Sequence, residues 1–463
     1  MLHTIIIAVA IACVAGLFVL EVDPGERTSW ALWLPLSWCF IIGTKPISEW
    51  IHGQSAKSLE RYAEGTPMDA AIFGLMILVA LLVLNYRSGQ VRRFIQFNPA
   101  LMMFLFYCAA SILWSDFPVV AFKRWIKEAG DVVMVLVVLT DPQPLAAIKR
   151  VFARLSFVFV LFSIVFILFI PSMGTEQDTV TGVIYYNGMM TQKNQLGQSC
   201  MVAGLGCLWL LLNAMEAPKS LRRRRLLMLY GTTFAGAVWL IAKANSVTSL
   251  SCMAEASVVM LLITRPWVRQ RASRVLAVAC GAVGFAVFAV FLDSAGGLLH
   301  SVGRSSTLTG RTDIWRAVLS AHTNPIFGTG YESFWLGKRL EYVWDVTGQH
   351  GILQSHNGYI EIFVNLGWVG LFLLGWVIVA GFRSATIAFF RDPRAGRLGL
   401  AFLTAALIYN VSEAGFRMMT LIWFAFLLAA TGIPAEAQSR PVAKAVRRRG
   451  FRFAPGGTTR ILQ

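Results

Sequence analysis

The sequence predicts an all-α, polytopic helical membrane protein with about 12–13 transmembrane helices and one large loop on the outer face. Three observations predict it. Mean hydropathy is +0.63, with 56% hydrophobic residues over 463 positions, far outside the soluble range. Apolar runs recur near the length of ~20 residues that crosses about 30 Å of hydrocarbon, where only a helix or a closed barrel satisfies its own backbone. Basic residues, finally, concentrate in the links between those runs.

The runs place spans at 4–20, 30–42, 70–85, 99–113, 129–140, 155–170, 196–215, 227–242, 250–264, 275–292, 361–382, 398–411 and 418–433. The second and fifth are short. The first carries no signal-peptide cleavage pattern and reads as a retained helix. The chain divides accordingly into helices 1–10 (1–292), a large outer loop (293–360), helices 11–13 (361–433) and a basic cytoplasmic tail (434–463). No internal repeat is evident.

A formal charge of +17 raises a nucleic-acid partner, but the placement of the charges argues against one. Arg222–Arg225, Arg265–Arg274, Arg383–Arg397 and the tail Arg440–Arg460 lie in links or after the last run, the pattern that orients spans with positive charge inside. With Arg222–Arg225 inside, alternation puts 86–97, 141–154, 216–226, 265–274, 383–397 and the tail in the cytoplasm. It puts 43–69, 114–128, 171–195, 243–249, 293–360 and 412–417 outside. Thirteen spans leave the N-terminus outside; one fewer near the start returns it to the cytoplasm. The seven cysteines fall in apolar runs without metal-ligand spacing, so neither a disulfide framework nor a zinc site is indicated.

Polar chemistry collects outside. Phe122-Lys123-Arg124-Trp125-Ile126-Lys127 is a basic amphipathic patch on the side the orienting rule disfavours. It reads either as a substrate contact or as an interfacial helix anchored to headgroups. Lys193 stands just before one span, while Lys243 and Ser412-Glu413 end others. The stretch Ser301–Leu374 organises the rest: four of the six histidines lie from His300 to His356. Thr309-Gly310-Arg311-Thr312-Asp313 opens a helix whose apolar face is Ile314, Trp315, Val318 and Leu319. Arg311 then sits in a first turn, where free N–H groups already favour an anion, and adds a planar fork suited to phosphate. Arg304 joins it if the loop folds back. Asn324–Tyr331 reads as a turn. Phe334, Trp335, Tyr342 and Trp344 are either sugar-stacking platforms or core, core being the commoner use.

His356 lies at the mouth of the eleventh span, where the helix dipole favours neutral imidazole, the form a general base needs. The alternative is a capping or packing histidine. Asn357 beside it and Arg311 upstream favour the base; His322 and His350 lack such placement and read as surface residues.

The run Ser306–Trp315, then Asn324-Pro325 to Tyr331 with Phe334-Trp335, then Ser355-His356-Asn357-Gly358-Tyr359, resembles the O-antigen ligase and polymerase superfamily, and within it the ExoQ-type exopolysaccharide polymerases. Trp114-Ser115-Asp116, Lys193-Asn194 with Leu196-Gly197, and Asn410–Glu413 also look like family positions. The resemblance implies a bacterial inner-membrane enzyme with a glycosyltransferase C-like helical fold and a periplasmic active site. It implies a donor oligosaccharide on undecaprenyl diphosphate, an acceptor glycan or lipid-core hydroxyl, and work without a metal or other cofactor. Other polysaccharide-assembly proteins are implied partners, and nucleic acid is not. The resemblance maps the arginine that grips the diphosphate onto Arg311 and the essential loop histidine onto His356, the two catalytic candidates. By placement and charge, Arg304, Lys193, Asn357, Lys123, Arg124 and Lys243 are candidate substrate contacts, and Glu413, with Asp313, is placed either to orient the acceptor or to hold an arginine. In one departure, the family's basic residue after the serine of the 244–250 segment is replaced here by Val247; either Lys243 supplies that charge one turn earlier or that part of the site differs.

Physical chemistry gives the same site a logic of its own. A lipid diphosphate leaves readily if pre-placed cations meet its developing charge, and an acceptor hydroxyl needs a base working near neutral pH. Three rivals stand beside the polymerase reading: ligation to lipid A core, transport of an anionic solute or lipid-linked glycan, and a non-catalytic assembly component. A transporter predicts mid-span charges, broken helices and repeated halves, and the sequence displays no clear mid-span charge or repeat.

Overall fold

A computed structural model describes residues 1–53, 65–177, 182–294 and 309–432. Arg304 and the tail segment 434–463 lie outside them. The described chain is helical apart from one short hairpin, in which β1 (Thr175–Gln177) pairs antiparallel with β2 (Ile184–Tyr186). The first half runs through α1 (Leu2–Glu21), α2 (Trp33–Gly43), α3 (Ile47–His52), α4 (Pro67–Asn85), α5 (Ser88–Phe97), α6 (Pro99–Ala110), α7 (Pro118–Leu139), α8 (Pro144–Phe169) and α9 (Pro171–Gly174). After the hairpin come α10 (Lys193–Glu216), α11 (Leu221–Lys243), α12 (Val247–Leu262) and α13 (Ala272–Ser294). The last are α14 (Thr309–Ser320), α15 (Gly337–Thr347), α16 (Gly358–Arg391), α17 (Pro393–Ser412) and α18 (Leu421–Ala430).

Each of the thirteen apolar runs overlaps a helix among the described residues, and the molecule is a polytopic helical membrane protein. Among the described residues eight helices are long and apolar enough to cross a membrane: α1, α4, α8, α10, α11, α13, α16 and α17. A ninth arises if α5 and the stretch Pro99–Trp114 count as one span, although the chain turns by 89° between them. Pro99, which has no N–H and restarts the helix, accounts for that turn. The runs at 30–42, 250–264 and 418–433 form shorter apolar helices. The run at 129–140 is the second half of α7, whose first half carries Lys123, Arg124, Lys127 and Glu128. Apolar run length alone does not separate a full crossing from a short packed helix.

Burial orders the helices radially. The apolar window of α17 is 83% buried and that of α10 is 78%, whereas α1 is 11% buried and α4 and α13 are each 17%. The first two form the centre, and the others present apolar flanks outward, as lipid-facing helices do. Among the described residues, several links that alternation assigns to the cytoplasm touch one another. Ser29 Oγ donates to Asp141 Oδ2 at 2.8 Å, Arg87 Nη2 donates to Ser29 Oγ at 2.8 Å, and Arg394 Nε reaches Glu216 Oε2 at 3.0 Å.

One break matters for the site. α16 is interrupted at Gly367, where φ is +65°. The backbone groups freed there are taken up by the turn 325–330: Trp368 N–H donates to Pro325 O at 2.9 Å, and Gly330 N–H to Asn365 O at 2.9 Å. A Cβ on Gly367 would stand 2.2 Å from Ile326 O, so this close backbone crossing requires glycine. The 329–333 segment is pinned from the other side as well. Tyr331 N–H donates to Ser111 Oγ at 2.9 Å, and Ser115 and Ser333 hydroxyls meet at 2.7 Å. The segment around Trp114-Ser115 thus seats the outer turn.

Candidate functional site

Three elements converge at the end of the bundle where the links 293–360 and 412–417 lie. α14 brings Arg311 in its first turn. The N-terminus of α16 brings His356 and Asn357. The corner after α17 brings Glu413, and Asn410 builds that corner: its Oδ1 accepts the Gly415 and Phe416 N–H groups at 2.8 and 2.7 Å. Its Nδ2 donates back to Ala406 O at 2.8 Å. The corner is then stitched to α16, where Gly358 N–H donates to Glu413 O at 3.0 Å.

The Glu413 carboxylate joins the two predicted catalytic residues. Its Oε1 lies 2.7 Å from Arg311 Nη2, and its Oε2 lies 3.1 Å from His356 Nδ1. Side-chain exposure is 8% for Glu413, 19% for Arg311 and 25% for His356, so the carboxylate sits underneath and its partners reach the surface. An ionised carboxylate only accepts, so the contact favours a hydrogen on Nδ1 and leaves Nε2 with its lone pair. Gln354 Nε2 also stands 3.3 Å from Nδ1, and while that nitrogen donates to Glu413 the amide NH2 makes no hydrogen bond to it. The Arg311–Glu413 bond uses few of the five guanidinium N–H donors. The triad therefore sets an imidazole nitrogen, Nε2, and an oriented cation side by side.

Other predicted site residues are placed as follows. Asn357 caps α16: its Oδ1 accepts the Tyr359 and Ile360 N–H groups at 3.0 Å each, and its Nδ2 donates to Val411 O at 2.9 Å. With its amide so engaged, the expected substrate contact gives way to a cap. Arg124 is corrected likewise, because its guanidinium is buried and donates to the Glu332 backbone carbonyl. Lys123, next to it, is exposed. Lys193 Nζ stands 3.9 Å from the Tyr185 ring centroid, and Lys243 Nζ 5.4 Å from Tyr186 and 5.6 Å from Trp239. Both lysines thus gather on the one hairpin strand. The starts of α10 and α12 are in contact, since a Cβ on Gly197 would lie 2.6 Å from Ser246 Cβ. The Thr248 hydroxyl in turn meets Ser412 Oγ at 3.2 Å, next to Glu413. The two lysines therefore flank the triad without touching its carboxylate.

Sequence reasoning missed several partners. Arg417 Nη2 pairs with Glu332 Oε2 at 3.1 Å, and Arg339 Nη1 with Asp116 Oδ2 at 2.7 Å. Arg417 was findable, as another basic residue in a link assigned to the outer side. Phe334 and Trp335 are buried and pack with Ile314, Val318 and Leu340 in a small core beneath α14 and α15, so they form no sugar platform. Tyr342 is partly exposed. His322 and His350 are surface residues as expected.

With Arg311 and His356 joined through Glu413, the comparison with known proteins has a site to bear on. Residues 232–375 match the O-antigen ligase family. That segment contains Arg311, His356, Lys243 and Val247, while Glu413 and Lys193 lie outside it. The chain is also 26% identical, over 351 residues, to the exopolysaccharide production protein ExoQ of Rhizobium meliloti (strain 1021). The alignment covers 73% of this chain and 76% of that protein. The resemblance read from the outer-loop motifs is borne out. The family match and the relative together point to an enzyme of glycosyl-transfer type that polymerises or ligates polysaccharide.

Proposed function

We propose that the protein polymerises exopolysaccharide or O-antigen repeat units by glycosyl transfer on the periplasmic face of the bacterial inner membrane. The donor is an oligosaccharide on undecaprenyl diphosphate, and the acceptor a hydroxyl of another glycan or of a lipid core. The observation that carries the reading is the Glu413 carboxylate, which holds a histidine and an arginine together where the outer links meet. The acceptor O–H gives its proton to His356 Nε2 while the oxygen bonds to the donor's anomeric carbon. The bond from that carbon to the diphosphate oxygen breaks, and the diphosphate leaves with the electron pair. Arg311, at an α-helix N-terminus, faces the charge that develops on it. Lys193, Lys243 and Arg304 supply further cations for diphosphate or glycan, and the isoprenoid tail lies along grooves between spans.

A deletion strain tests this by its lipid-linked precursors. Loss of the polymerase leaves single lipid-linked repeats on the outer leaflet and no long surface polymer. Precursors held on the cytoplasmic face would instead indicate a transporter. Long polymer that is present but unattached to lipid core would indicate ligation as the reaction.

A further inference from the structure

His356 adopts φ +53°, in the left-handed region that residues with a side chain occupy at a cost. Such a conformation persists where the surroundings over-determine it, and both sides of His356 are pinned. Ahead of it, the Ser355 carbonyl accepts Trp315 Nε1–H at 2.8 Å, and the Ser355 N–H donates to Glu361 Oε1. Glu361 is buried and is itself held by Trp335 Nε1, 2.8 Å from its Oε2 and 3.1 Å from its Oε1. Behind it, Ser355 Oγ donates to Asn357 O at 3.0 Å, and Asn357 caps the helix. Trp315 lies one helical turn beyond Arg311 on α14, so its indole ties the arginine's helix to the histidine's turn by a route that bypasses Glu413.

We infer that Trp315 and Glu361 are positioning residues that fix the Ser355–His356 turn against α14 and so set the spacing of base and cation. The inference rests on the proposed roles of His356 and Arg311. Neither residue touches substrate; each acts through the backbone of Ser355. Misplacing a reacting group by about 1 Å can cost on the order of a hundredfold in rate.

The test is steady-state kinetics of the full-length protein in proteoliposomes, using lipid-linked oligosaccharide extracted from the deletion strain. Trp315→Phe keeps an aromatic side chain, though a smaller one, and removes the N–H; its kcat should fall about ten- to a hundredfold with KM within twofold. Trp344→Phe is the control for a structural role, because Trp344 Nε1 makes the same kind of bond to Ile352 O, at 2.8 Å, in the same small core. Its kcat should stay within twofold. Glu361→Gln keeps an oxygen for the Ser355 N–H but turns its NH2 towards Trp335 Nε1, so it should lose less kcat than Glu361→Leu, which removes both acceptors and should fall as Trp315→Phe does. The inference is overturned if Trp315→Phe falls no further than Trp344→Phe, or if Glu361→Leu matches Glu361→Gln at equal membrane abundance. Full activity in Arg311→Ala and His356→Ala would instead overturn the underlying functional reading.

Discussion

Replacing Glu413 with glutamine separates its charge from its shape. The amide fits the same buried volume but cannot satisfy both partners as the carboxylate does. With its oxygen towards Arg311 Nη2, now 2.7 Å from Oε1, its NH2 faces His356 Nδ1, now 3.1 Å from Oε2. A donor there drives the imidazole hydrogen onto Nε2 and removes the lone pair that would take the acceptor's proton. With the amide flipped, the imidazole recovers its tautomer, but an NH2 then opposes the guanidinium, donor against donor. Either way one half of the site is lost. General-base catalysis contributes about 10²–10⁴-fold, or roughly 3–5 kcal/mol. Glu413→Gln should lower kcat by that factor with a small change in KM and unchanged membrane abundance. Initial rates in proteoliposomes, normalised to protein by immunoblot, measure it. A kcat within threefold of the parent enzyme would refute the bridging role of Glu413.

Four other outcomes follow. A cysteine at exposed Lys338 should react with a membrane-impermeant thiol reagent in intact cells, and one at exposed Arg224 should not, in a background lacking Cys13 and Cys280; the reverse pattern would invert the sidedness. Lys243→Ala should depress polymer yield strongly, and adding Val247→Arg, at a position 46% exposed, should recover part of it; a silent Lys243→Ala at normal protein level removes the compensation. Arg311→Lys keeps the charge and loses the planar fork, so it should cost on the order of a hundredfold in rate with the protein still abundant in the membrane. Gly367→Ala, at φ +65° with a Cβ 2.2 Å from Ile326 O, should cut membrane abundance and thermal stability; parental levels would show that the outer turn tolerates the shift.

Much of the fold was legible because apolar runs report helices directly. Each of the thirteen runs overlaps a helix, and their basic links touch one another in the cases cited. Helix length was less legible. A run such as 418–433 is apolar enough for a span, yet its helix is only the 10 residues Leu421–Ala430 because the chain before it turns through the Asn410–Glu413 corner. The interruption at Gly367 was invisible too, since a glycine within an apolar run looks like any other small residue until a second backbone is laid across it. Arg311 and His356 stood out because ionisable groups at helix starts, in links the charge pattern assigns to the outer side, have few structural uses. Glu413 was readable as a holder of an arginine, but neither which arginine nor the histidine was, because the contacts join residues 102 and 57 positions apart. Arg124 and Asn357 looked like ligand contacts because sequence gives residue type and side but not burial or capping geometry.

The central claim is that Arg311 and His356, bridged by Glu413, transfer a glycan from a lipid diphosphate. Purified full-length protein in liposomes, supplied only with the lipid-linked oligosaccharide that the deletion strain accumulates, tests it most directly by mass spectrometry of the products. The account predicts oligosaccharides lengthened by whole repeats, one equivalent of undecaprenyl diphosphate released per bond formed, and neither product from His356→Ala or His356→Gln at equal protein. Chain lengthening by His356→Gln at a rate near that of the parent enzyme would contradict it.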